Sequence, residues 1–458
     1  MNTSSAPAKR RILLTVVAAA AVGLAGCHTL SNLPMFKSGT NKSVASAGER
    51  IPILEAEDQL NVSDALKGQS FYVPPPAPQV DWPLPGGTVE QSVENVDAAP
   101  DFHLAWRRPL GVSAMNRQHF VTAPPIEEAG LVYAMDGQAG VSAHNAKTGE
   151  QVWRVNLQNH ERRDRDGFGG GLAYDDGKVF VSSGYRFVAA LDSHTGRTLW
   201  KTATDEPIHA APTVSDGRVF VVTLDDQLLS FDSATGTPGW NYQAIIEPAR
   251  MLAASSSAIS GDTLVTAFAS GEVIAKRVTN GNDLWNQALS RSNRNSALSE
   301  IRDIAGRPVI YKGNVYAASH SGVFASFDLR TGAPVWTLPV ASFTTPWAAG
   351  DVVYLVSQTG QLICVSRESG GVYWIVDLNA SAGKKEKKSK GIVYWFGPTL
   401  ADNRLILTSS RGDIEARDPK TGDFISVIHT GAPMTQPPIA ASGMLYVVNE
   451  RAELVAIR

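Results

Sequence analysis

Asp192, Ser193 and His194 stand side by side, the three side-chain types of a hydrolytic triad. A triad works only when acid, base and nucleophile converge from separate parts of a fold. Three neighbours inside Asp-Ser-His-Thr-Gly belong instead to one turn. Gly169, Gly170 and Gly171 could offer backbone N–H groups to a phosphate, but no Gly-Lys-Ser/Thr continuation follows, so a loop leading into a strand is expected. The nine histidines show no metal-type spacing. Asp175-Asp176 and Asp225-Asp226 fall where hairpin turns favour Asp, and Arg411-Gly412-Asp413, an adhesion tripeptide by its letters, occupies another such turn. Cys364, within the strand-like Gln361 to Val365, reads as a small buried hydrophobe. The basic run Lys384 to Lys390 is expected to be a solvated loop.

The elements that position these residues come from one phrase repeated seven times. It reads Asn145 to Gly149 then Trp153, Asp192 to Gly196 then Trp200, Asp232 to Gly236 then Trp240, and Asp328 to Gly332 then Trp336. Degenerate copies are Thr279-Asn280-Gly281 then Trp285 and Glu368-Ser369-Gly370 then Trp374, and in the seventh, Asp418 to Gly422, Ser426 stands at the Trp position. A period of roughly 38 to 52 residues built from short strands and Asp-Gly turns indicates a β-propeller. The stretches Val219 to Val222, Val352 to Leu355 and Leu445 to Val448 are apolar on consecutive positions, as strands buried on both faces should be. Gly supplies the left-handed turn, and the Trp on the strand that follows is expected to cover the seam to a neighbouring blade. The C-terminus supplies two strands and stops, while Phe102 to Arg107 carries a Trp with no Gly turn before it. The sequence therefore predicts an all-β, eight-bladed β-propeller whose last blade is closed by pairing N- and C-terminal strands, leaving no open ring edge.

Lys9, Arg10 and Arg11 precede the apolar run Ile12 to Leu24, too short for a membrane span and ordered like an export signal. Leu24-Ala25-Gly26-Cys27 resembles the lipobox of bacterial lipoproteins. That resemblance implies a signal peptide over 1–26, lipidation of Cys27 and, with His28 after it, sorting to the outer membrane. Several acyl chains would hold a protein durably where one would not. From Cys27 to Gln79 the chain is polar and Pro-rich, ending Pro74-Pro75-Pro76-Ala77-Pro78, and reads as a flexible tether with a stiff end; the propeller is placed over 80–458. With Cys27 lipidated, Cys364 has no cysteine to pair with. A formal charge of −3 gives no reason to expect a nucleic-acid partner.

The turn-plus-Trp phrase over about residues 80–458 resembles two propeller groups. One is the quinoprotein dehydrogenases, which hold pyrroloquinoline quinone and Ca²⁺ on the ring axis. The other is the BamB lipoproteins of the outer-membrane β-barrel assembly machinery. The first resemblance implies an oxidoreductase and is kept as the alternative. It also implies a vicinal Cys-Cys pair, where Cys364 stands alone, and a convergent oxygen-donor cluster for Ca²⁺, of which the sequence gives no sign. The lipobox, tether and length resemble BamB. That resemblance implies a non-enzymatic accessory protein without cofactor or metal, anchored through Cys27 on the periplasmic face of the outer membrane. Its implied partners are a BamA-like assembly protein and unfolded β-barrel precursors. Pro248-Ala249-Arg250 with the small polar run Ala253 to Ser257, and Ser299 to Ile304 leading to Pro308, resemble the two BamB segments that contact BamA. Carried over by position, Arg250 and Asp303 are the partner-binding candidates. The family pattern has a second Asp where this chain has Ala305, and leucines where it has Pro248 and Ala249.

Overall fold

The structure is a computed structural model that describes residues 60–111, 124–164, 167–246, 255–289, 303–380 and 392–458. Within them, thirty-two strands, β1 to β32 in chain order, form eight four-stranded antiparallel sheets. Seven blades are contiguous in sequence: I (126–156), II (170–203), III (213–243), IV (258–288), V (309–338), VI (347–377) and VII (395–429). Blade VIII joins β30 (Ile439–Ala441), β31 (Met444–Val448) and β32 (Glu453–Ile457) to β1 (Leu104–Pro109) as its outer strand. The predicted closure is therefore present, with Trp106 opposite Ala456 and Arg108 opposite Leu454.

The layering follows from the residue types. Six inner strands have only three residues, while Gly170–Asp175 and Trp395–Ala401 are longer. The next two strands are buried on both faces: all five residues of Val352–Val356 are buried, as continuous apolar runs require. The outer strand is mostly exposed except at one position, as in the pattern of Gln151–Asn156, where Trp153 is the buried residue.

That Trp reaches out of its own blade. A Cβ added to Gly370 of blade VI, whose φ is +72°, would come within 2.8 Å of the Trp336 indole of blade V. The same Trp-over-Gly contact joins Trp106 to Gly149, Trp153 to Gly196, Trp200 to Gly236, Trp240 to Gly281, Trp285 to Gly332 and Trp374 to Gly422. So glycine serves twice at these turns, by admitting a positive φ and by letting an indole lie against bare backbone. Six of the seven indoles also donate a hydrogen bond across the seam, as Trp153 does to the Ser193 carbonyl (2.8 Å) and Trp336 to that of Arg367 (3.0 Å). Trp374 is the exception: its Nε1 is buried without a partner, and Tyr354 donates to the Pro419 carbonyl at that seam instead. The seam between blades VII and VIII has neither member of the pair. Blade VIII has no Gly turn because its outer strand comes from 104–109 and not through a hairpin after β32, His103 and Arg458 exchanging two backbone hydrogen bonds, and Ser426 stands on blade VII where a Trp would have nothing to cover.

A segment outside the repeats, 77–99, runs around the ring. Gln79 accepts from Ser442 of blade VIII, and Trp82 exchanges two backbone hydrogen bonds with Glu127 of blade I. Pro83 accepts from Tyr174 (II), Val89 from Ile259 (IV) and Glu90 from Ile310 (V). The Trp347 indole (VI) donates to Glu94, Val96 bridges Leu400 and Asp402 (VII), and Ala99 donates to Gly443, back on blade VIII. Leu84 and Val89 pack with Val214 and Phe231 of blade III. The segment thus makes one circuit and touches all eight blades. The chain already lies against the ring before Val80, where the tether was expected to end: Ser63 bonds to Val372, and Tyr72 to Asp351.

Candidate functional site

The loops that carry the chain from the outer strand of one blade to the inner strand of the next emerge on one face, as alternating antiparallel strands dictate. The opposite face carries the inner hairpin turns, to several of which the encircling segment is bonded. Both segments singled out from the sequence lie in such inter-blade loops, one before and one after blade IV. Arg250 lies outside the described residues, as do Cys27 and Lys384 to Lys390. Asp303 is described and is buried, 1% exposed. Its backbone carbonyl accepts from His320 at 2.8 Å. The structure does bring the roots of the two segments together: Ser255 Oγ donates to the Gly306 carbonyl at 3.2 Å, and Ser255, Asp303 and Asp226 line one small recess. Two residues before the first segment, Ile245 and Ile246, are exposed.

The residues with catalytic side chains do not converge. Asp192 Oδ1 accepts from the Thr195 amide (2.9 Å) and hydroxyl (2.6 Å) of its own turn, which holds its carboxyl below the usual range. Ser193 bonds His194 across one peptide, so the three form no relay. Gly170 is glycine because a Cβ there would lie 2.0 Å from the Ser182 carbonyl of the paired strand. Asp413 accepts from the Ser409 hydroxyl of its own turn and meets His429 of the paired strand. Cys364 is fully buried, and burial pushes its thiol well above the usual value, which removes the thiolate that reactivity needs.

At the ring axis the inter-blade loops enclose a cavity of about 400 Å³. Its floor is the turn of the encircling segment, through Trp82, Pro85, Gly86 and Gln91. That floor is fixed to the ring: Gln91 donates to the Ser257 carbonyl (3.1 Å), Arg307 to that of Pro85 (3.4 Å), and Trp82 stacks on Trp347 at 6.4 Å. The walls are aromatic, with Phe168, Phe343 and Phe396; Phe343 and Phe396 are 5.7 Å apart. Sequence reasoning missed this chamber, its one arginine and the floor. The signal available was that Trp82-Pro-Leu-Pro-Gly-Gly is apolar and rigid in a stretch with no repeat.

This is the architecture of the propellers built from quinoprotein-like repeats, some of which carry a cofactor at this axis. The residues here do not fit a quinone with a divalent cation. No carboxylate lines the chamber, and no group of three or more metal-type side chains occurs among the described residues. A hard divalent ion requires such oxygen donors.

The chain belongs to the family described as outer membrane protein assembly factor BamB, whose family model matches residues 137–376. It is 25% identical over 341 residues to the outer membrane protein assembly factor BamB of Shewanella oneidensis, covering 73% of this chain and 83% of that one. The structure resembles that of BamB from Moraxella catarrhalis with a TM-score of 0.63 and 17% identity, over 78% of this chain and 99% of the other. A europium-containing methanol dehydrogenase is equally similar in fold, with a TM-score of 0.65 and 14% identity over 82% and 89%. Fold alone therefore does not separate the two groups, whereas the family match does.

Proposed function

We propose that the protein is a non-enzymatic scaffold of the outer-membrane β-barrel assembly machinery, anchored through lipidated Cys27 on the periplasmic face. The observation that carries this reading is the family match over residues 137–376. The layout of the ring supports it. One face is covered by the encircling segment, so the inter-blade loops are the free rim for docking. In this reading Arg250 is the contacting cation, since its planar fork pairs carboxylates bidentately, and its partner is a BamA-like periplasmic domain. Asp303, being buried, acts from beneath by holding the root of the second docking segment. The outer strands have free edges with exposed apolar residues just before the seam position, Val152, Leu199, Leu284, Val335 and Ile425. Such edges suit transient strand addition by extended barrel precursors.

The test is co-purification of the lipidated protein with the BamA-like partner from the native membrane. Arg250→Glu is expected to abolish it while leaving the melting temperature unchanged. An unaltered complex in the Arg250→Glu protein would refute the assignment of Arg250. No complex in the parent protein would refute the scaffold reading.

A further inference from the structure

The charge in the axial chamber has no anionic partner among the described residues. Arg307 lines it, and the described contacts of its side chain are a single long hydrogen bond, Nη2 to the Pro85 carbonyl. Its Nε is buried with nothing to donate to, and it forms no ion pair among the described residues. Burial lowers the guanidinium only to about 10, so it stays charged at neutral pH. Arg417, which is buried, shows the usual solution: it is ion-paired to Glu415 and donates to the Gly422 carbonyl. A desolvated cation left facing a cavity is costly unless an anion sits opposite it. Around it stand Trp82, Phe168, Phe343, Trp347 and Phe396, flat apolar surfaces that favour a ring.

We propose that the axial chamber is a binding site for a small monoanionic carboxylate with an aromatic body, the carboxylate paired to Arg307 and the ring set among the aromatic walls. Its size is within the range of small-molecule pockets, roughly 300–1,000 Å³. The absence of any lining carboxylate favours an anion and disfavours a cation-bridged ligand. Arg307 stands at the end of the second docking segment, so the chamber opens among the docking loops; its ligand is read by dye binding and the docking by co-purification, which keeps the two outcomes separate.

Two dyes of similar shape test this on the purified full-length protein: 1-anilinonaphthalene-8-sulfonate, which is anionic, and N-phenyl-1-naphthylamine, which is neutral. The anionic dye is expected to bind one per chain, to be displaced by 2-naphthoate, and to be indifferent to Ca²⁺. Displacement by 2-naphthoate but not by 2-naphthalenemethanol carries the test from sulfonate to carboxylate. Arg307→Met is expected to weaken anionic-dye binding at least about 10-fold, as loss of a charge-assisted hydrogen bond predicts, while leaving the neutral dye within about 2-fold of the parent. Arg307→Lys should restore part of the loss. Equal effects of Arg307→Met on both dyes, or no saturable binding of the anionic dye, would overturn the proposal. So would affinity that rises with Ca²⁺, which would point to a cation-bridged cofactor. Phe343→Ala, at the wall, provides a second variant should Arg307→Met fail to fold; it must weaken both dyes, and an unchanged affinity for either would also count against the site.

Discussion

Removing the Trp336 indole tests the account of what closes the ring. The side chain is 8% exposed, donates to the Arg367 carbonyl at 3.0 Å, and meets Phe324 edge-on at 5.1 Å and Tyr316 at 6.0 Å. Burying an indole removes roughly 150–250 Å² from water, an upper bound of about 4–6 kcal/mol at 25 cal/mol per Å². Truncations of this size in cores cost about 3–5 kcal/mol. With an unfolding entropy of about 2.1 cal/mol/K per residue over roughly 400 residues, Trp336→Ala should lower the melting temperature by about 4–6 °C. Gly370→Ala should also destabilise, by left-handed strain of about 1–2 kcal/mol plus the clash of a Cβ at 2.8 Å from the indole. The clash disappears when the indole is gone, so the double variant must be less destabilised than the two singles together. Scanning calorimetry of the four proteins reads the cycle. Strict additivity, or a Trp336→Ala shift under 1 °C, would refute the idea that indole and glycine form one unit across the seam.

The remaining expectations concern other parts of the ring. Glu127 is fully buried, and burial together with the neighbouring Asp81 raises its carboxyl to about 7. A carboxyl with a raised folded value stabilises at pH below the unfolded value and loses that contribution as pH climbs through 7. Thermal stability should therefore fall between pH 4.5 and about pH 7 and level off above, and Glu127→Gln should flatten part of that slope, Glu128 beside it being raised likewise; parallel slopes would count against it. Ser426→Trp should bring no gain in melting temperature, because blade VIII offers no glycine turn to receive the indole; a rise of several degrees would contradict this. Trp82→Ala should loosen the encircling segment, speeding hydrogen exchange at the amides of Ile259 and Ile310, which donate to it. Exchange unchanged at both would show that Trp82 does not hold it. Cys364 should resist thiol reagents until the protein unfolds, and modification of the native protein within minutes would contradict its burial.

The ring was legible because each blade repeats a local instruction. Asp or Asn, then Gly, then Trp four residues on, state turn, backbone freedom and seam within one stretch of chain, so a reader needs no long-range information. The irregular seventh copy, with Ser426 in place of Trp, takes its meaning only from the structure, at a seam with no glycine partner. The encircling segment was not legible, because its partners are spread over the whole chain. Trp82 meets Glu127 and Trp347, and Val96 meets Leu400, contacts that no local pattern encodes. The axial chamber was hidden for the same reason. Its lining comes one to a few residues at a time from many loops, and Arg307 looks in sequence like any loop arginine. Asp303 was marked by positional resemblance, which carries no information about burial; its side chain lies inside.

The circuit made by residues 77–99 also constrains the order of events when the chain folds. These residues emerge first, yet their bonding partners include Gly443 near the other end, and β1 has no sheet to join until β32 exists. Blades I to VII can each form from contiguous chain, in the manner of a repeat array. Residues 104–109, whose strand pairs only with β32, must wait. Removal of Glu453–Ile457 would therefore leave Leu104–Pro109 unpaired as well as an incomplete last blade. Quality control then has one sensitive checkpoint, the arrival of Glu453–Ile457 beside Leu104–Pro109.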